Sequence, residues 1–139
     1  LVIACVSGRQ GLQTWENVAR ALANAASVVS EGGAIALVTQ LNAAPGAAVA
    51  SLSQTEDWQA ALRRIRRDCP PDALEAAELI DAADRARIYL LSQLEETTVE
   101  ELGLAPVSCV AELARLAQRH ESCIVLANAQ HVLAAAEED

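Results

Sequence analysis

The stretch from Leu1 to Thr39 constrains the fold more than any other. Leu1 to Val6 has the apolar pattern of a strand, Ser7 to Thr14 reads as a polar loop, and Trp15 to Val29 repeats at helical spacing; Gly32-Gly33 then breaks the helix, and Ala34 to Thr39 is a second apolar run. This is a β-α-β unit. A crossover of that length brings the second strand back parallel to the first. The loop after the first strand therefore opens at the carboxyl edge of a parallel sheet, where open α/β sheets hold ligands. Its sequence, SGRQGLQT, supplies glycines, a cation, carboxamides and hydroxyls. These groups suit recognition, and none is an evident catalytic group.

The rest of the chain continues the alternation. QLNAAPGAAVASLSQ, after the second strand, reads as a long loop with a short helix from Gly46 to Leu52. Thr55-Glu56-Asp57 opens a helix carrying Trp58, Ala61, Leu62 and Ile65 on one face, and Cys69-Pro70-Pro71 ends it. Asp72 is placed to cap a helix from Ala73 to Ala86 with Leu74, Ala77, Ile80 and Ala83 as its apolar stripe. Arg87 to Ser92 is the third strand. Thr97 to Leu102 is a short helix closed by Gly103, Ser108 is placed to cap a helix through His120, and Ser122 to Ala127 is a buried fourth strand. A weak helix is expected in the tail from Gln130. The expected architecture is a Rossmann-like, three-layer α/β sandwich with a mainly parallel sheet of about four strands flanked by helices, a single domain over residues 1–139.

Composition narrows the function. The net charge is −9, all ten cations are arginine and lysine is absent, so the chain lacks the positive footprint that nucleic acid requires. The one dense basic run, Arg63 to Arg67, reads as a solvated helix face. No apolar run is long enough to span a membrane, and the expected location is the cytoplasm. Cys5, Cys69, Cys109 and Cys123 form no C-x-x-C pair and are expected as reduced thiols, Cys5 and Cys123 in buried strands. The absence of Met and the start within an apolar strand suggest excision from a longer protein.

The loop glycines do not make a dinucleotide fingerprint. Gly8-x-x-Gly11 lacks the G-x-G-x-x-G spacing, no acidic residue ends the second strand, and without lysine there is no P-loop. Nor is there a G-x-S-x-G elbow at Ser7. What remains is an anion-friendly edge. Backbone N–H groups at the helix start, with Arg9 and Arg20, suit a phosphate or carboxylate, and Gln13, Thr14 and Asn17 add hydrogen-bonding groups. Solvated arginines are the plainer reading. Thr14 also suits an N-cap. His131, in ANAQH past the last strand, lies at the same edge, and Trp58 belongs either to the core or to the cleft. The histidines and cysteines are too scattered for a metal site.

The run VIACVSGRQGLQTWENVARALANAASVVSEGGAIALV resembles the opening of the C-terminal domain of the lactate racemase family, the nickel-pincer-dependent 2-hydroxyacid racemases and epimerases. Trp58, RIYLLSQL, TTVEELGLAPVSCVAELARLAQRH and CIVLANA follow in the family's order. The resemblance implies a cleft-forming domain that contributes substrate- or cofactor-binding residues. It further implies that an N-terminal domain of the same polypeptide supplies the cofactor lysine, a nickel-ligating histidine and the proton-exchanging histidines. The nickel-pincer nucleotide would then belong to the full-length protein, with none bound by this chain alone, and the isolated chain would be inactive. The family's Tyr-Gln pair falls on Glu16 and Asn17 and its cleft lysine on Arg20, departures that point away from lactate itself to another hydroxyacid, larger or differently charged, or to a relative whose activity has lapsed. The alternative is a stand-alone α/β module that binds an anionic or phosphorylated metabolite at the first loop.

Overall fold

A computed structural model describes residues 1–137. Five strands form one all-parallel sheet: β1 (Val2–Cys5), β2 (Gly33–Val38), β3 (Ala86–Leu91), β4 (Ala105–Pro106) and β5 (Ile124–Leu126), in the order β4-β3-β2-β1-β5. Among the described residues six α-helices flank it: α1 (Trp15–Ala26), α2 (Ala47–Ser51), α3 (Trp58–Asp68), α4 (Ala73–Arg85), α5 (Glu96–Glu101) and α6 (Val110–Ala117). The expected α/β sandwich is thus present, with one strand more than anticipated.

The strand order dictates where the helices go. From β1 to β4 the chain steps in one direction, so right-handed crossovers place α1 to α5 on one face; the return from β4 to β5 places α6 on the other. The side chains divide accordingly. Val2, Ala4, Ile35, Leu37, Ile88 and Leu90 join the main core under α1 to α5. On the opposite face a smaller core gathers Ala36, Val107, Leu113 and Leu116, with Ile3, Val38, Tyr89 and Leu91 packed against it. Alanines on α1 and α4, such as Ala21, Ala25, Ala76 and Ala82, are fully buried. Small side chains of this kind let helices pack closely on one another and on the sheet.

Several local expectations are corrected. The first helix ends at Ala26, three residues before Val29, with Ser27 as its C-cap. Leu74 lies 60 % exposed instead of in the apolar stripe of α4, whose buried positions are Ala76, Leu79, Ile80 and Ala82. The Ser108 hydroxyl donates to Glu96 and its N–H donates to Glu112, so Cys109 holds the N-cap position of α6, which stops at Ala117 short of His120. Cys123 is exposed, and the last strand, at the sheet edge, leaves Val125 63 % exposed. No helix forms over residues 132–137, and residues 138–139 of the expected tail helix lie outside the described residues.

Asp72 shows how a cap can serve a different helix. It occupies the N-cap position of α4, yet its carboxylate accepts the N–H groups of Ala48 and Val49, both at 2.9 Å, at the start of α2. Gly46 makes this possible. A Cβ there would stand 2.5 Å from Asp72 Oδ2.

Candidate functional site

At the carboxyl edge, register brings Cys5, Val38 and Leu91 into one row on the α6 side of the sheet. The segments that follow them, Val6 to Gly8, Thr39-Gln40 and Ser92-Gln93, enclose with Gln13 a cleft of about 400 Å³. This is the edge that the β-α-β reading pointed to.

Gln13 organises it. The side chain is 4 % exposed, and its amide Nε2 donates to the carbonyls of Val6 (3.3 Å) and Gly8 (3.2 Å). Its Oε1 accepts from the Thr39 hydroxyl (2.7 Å) and the Gln40 N–H (2.9 Å). An amide offers two donors and two acceptor positions, and here all of them are engaged. Gln13 therefore ties the first loop to the end of β2, and Thr39 Oγ1 extends the tie by accepting the Leu41 N–H. Gln10 to Asn42 and Trp15 Nε1 to the Ala43 carbonyl (2.9 Å) fasten the same two loops further out.

A second amide holds the loop from the other side. Gln130, 5 % exposed, accepts the Ser7 N–H at 3.3 Å and donates to the Ser7 carbonyl at 2.8 Å, copying the pairing of a neighbouring strand. The backbone bond from Ala129 N–H to the Cys5 carbonyl precedes it. Sequence reasoning passed over Gln130; its place in ANAQH, just beyond the last strand, was the only signal.

The remaining expected site residues fall into separate places. Thr14 caps α1 by accepting the Asn17 N–H (3.2 Å), and Asn17, 8 % exposed, donates Nδ2 to the Leu12 carbonyl (2.8 Å). Arg9 is exposed at the loop tip, and Arg20 is an exposed residue of α1 paired with Glu16 at 2.7 Å. Neither lines the cleft. Trp58 stands apart at the start of α3, donating to the Leu52 carbonyl (3.2 Å) with its ring against Gly103. It is thus a half-buried core residue. His131 is exposed and also lies off the cleft wall.

The cleft is chemically neutral. Cys5 is the one titratable side chain among its lining residues, and burial pushes its thiol above the usual range, keeping it protonated at neutral pH. Amides, hydroxyls, a thiol and backbone groups can orient a polar ligand. They offer no acid or base poised near neutral pH. No group of three His, Cys, Asp or Glu side chains suited to a metal occurs among the described residues, where no helix is long and apolar enough to cross a membrane either.

No family model and no curated protein matches the chain. A solved structure does: the lactate racemase apoprotein from Thermoanaerobacterium thermosaccharolyticum, with a TM-score of 0.83 over 97 % of this chain. The fold is similar to part of a lactate racemase. Identity with that racemase is 16 %, so the likeness is one of fold. The chain spans 35 % of the racemase's length.

Proposed function

We propose that this chain is the cleft-forming domain of a lactate racemase-like enzyme acting on a small 2-hydroxyacid. In this reading it helps to bind substrate or cofactor while catalysis resides in an N-terminal domain of the same polypeptide. The observation that carries the reading is the fold match, nearly complete for this chain and about a third of the racemase. A cleft with recognition groups and no acid-base pair supports it. A chain without lysine has no side-chain amine for a covalent link to the nickel-pincer nucleotide, so in this reading the tether lies elsewhere in the polypeptide. Any such group would be held by the other domain.

Arg20, exposed on α1 outside the carboxyl-edge cleft, is the residue assigned to the substrate side in this reading, with Asn17, one turn before it, fixing the first loop through the Leu12 carbonyl. Glu16 engages Arg20 through Nη2, and the other guanidinium donors remain available for a carboxylate. The test is chiral analysis of 2-hydroxyacids incubated with the full-length protein, wild type against Arg20→Ala. Loss of a charge-assisted contact costs about 1.5 to 3 kcal/mol, a fall in kcat/KM of roughly 10- to 150-fold. Unchanged kinetics would remove Arg20 from the site. An open reading frame that begins near Leu1 would defeat the two-domain reading and leave a stand-alone module that binds an anionic metabolite.

A further inference from the structure

A second cavity lies beside α6, on the sheet face away from α1. It encloses about 300 Å³ between Tyr89 of β3, Pro106 and Val107 at β4, Glu112, Arg115 and Leu116 of α6, and Arg119 in the turn that follows α6. It shares no lining residue with the carboxyl-edge cleft. Glu112 and Arg115 share one side of the helix and Arg119 follows in the turn after it, while Leu113 and Leu116 anchor the helix to the sheet.

The charge here runs against that of the molecule. In a chain of net charge −9, two arginines four residues apart, one on α6 and one in the turn after it, border one cavity, and neither has an ion-pair partner within 4.0 Å among the described residues. Two like charges bordering one cavity repel, which an anion between them would relieve. The one carboxylate in the lining, Glu112, already accepts the Ser108 N–H at 2.8 Å. A third cation adds to the field. Arg87, two residues before Tyr89 on the same strand face, places its guanidinium 5.3 Å from the centre of the Tyr89 ring.

The walls add a shape requirement. Tyr89, the chain's only tyrosine, presents an aromatic surface beside Pro106, Val107 and Leu116. A bare anion would leave that surface unused, whereas a flat ring would cover it. The volume is at the small end of ligand pockets. From these features we infer that the α6 cavity binds a small phosphorylated molecule bearing a planar ring, with Arg115 and Arg119 on the phosphate and Tyr89 against the ring. Two forked guanidinium groups match a phosphate's oxygens better than two ammonium groups would.

Phenyl phosphate, inorganic phosphate and phenol are the probes, titrated singly into the intact protein and followed by amide NMR. Phenyl phosphate is expected to shift Tyr89, Arg115 and Arg119 while leaving Gly8 to Thr14 in place, and to bind at least about tenfold more tightly than either other probe. Arg115→Ala/Arg119→Ala alters exposed side chains, so its fold is checked by its thermal melt and its phenyl phosphate affinity is expected to fall at least about tenfold. Tyr89→Leu is expected to abolish the preference for phenyl phosphate over inorganic phosphate. Absence of shifts at these residues, equal binding of the two phosphates, or affinity that survives loss of both arginines would each overturn the proposal. Because the readout is confined to β3, α6 and the turn that follows it, failure here leaves the carboxyl-edge reading intact, and the converse holds equally.

Discussion

Gln13 is the residue on which the carboxyl edge depends. Replacement by Leu keeps much of the volume but strands the Val6 and Gly8 carbonyls, the Thr39 hydroxyl and the Gln40 N–H together. Urea denaturation should show Gln13→Leu destabilised by about 2 to 4 kcal/mol, against less than about 0.5 for Arg20→Ala, whose exposed ion pair contributes little. Cys5 makes a second prediction at this scale. Its thiol is pushed up by burial, so the thiolate is disfavoured in the fold, and thiol labelling of the native protein should modify exposed Cys69, Cys109 and Cys123 first and Cys5 last. Equal rates at all four would show that the cleft floor is open. Glu78 is also pushed up, by burial and then by the neighbouring charge of Asp81. A carboxyl raised in the fold contributes stability that is complete below the ordinary glutamate range and is lost as pH rises through its native value. Glu78→Gln should therefore flatten the fall in urea midpoint across that window.

At the level of elements, the join between α2 and α4 is the most exposed to a single change. Gly46→Ala would drive Asp72 off the N–H groups of Ala48 and Val49, with an expected cost of about 1 to 3 kcal/mol, measured as a lower melting temperature. The regular elements were legible in the sequence wherever period and punctuation agreed: α1 behind Thr14, α3 behind Asp57, β2 at the glycine pair, whose second member is its first residue, and the stop of α5 at Gly103, whose φ of +73° suits glycine. Elements defined by their neighbours were not. Two residues, one of them proline, form β4 only because β3 lies alongside. CIVLA reads as a buried strand, and its exposure follows from its place at the sheet edge, which no local pattern encodes. The same holds for the site. The glycines and polar loop marked the right edge, but a contact between residues 26 apart, Gln13 and Thr39, leaves no trace in periodicity.

For the whole molecule, strand order matters more than any one side chain. Placing β1 between β2 and β5 lets the loop after β1 be held by the ends of both neighbours, through Gln13 on one side and Gln130 on the other. Among the described residues a single eight-residue helix, α6, packs on the face opposite α1, and the Tyr89 cavity opens beside it. The two candidate sites are thus built differently, one from loops and one from a helix flank. The doubly fastened first loop has a thermodynamic consequence. Fixing a free backbone costs about 1 to 2 kcal/mol per residue, and folding has already imposed that order on the loop before any ligand arrives. Calorimetry of a ligand at the carboxyl edge should then show a heat-capacity change set by the contact area alone, without the larger change of a segment that folds as it binds.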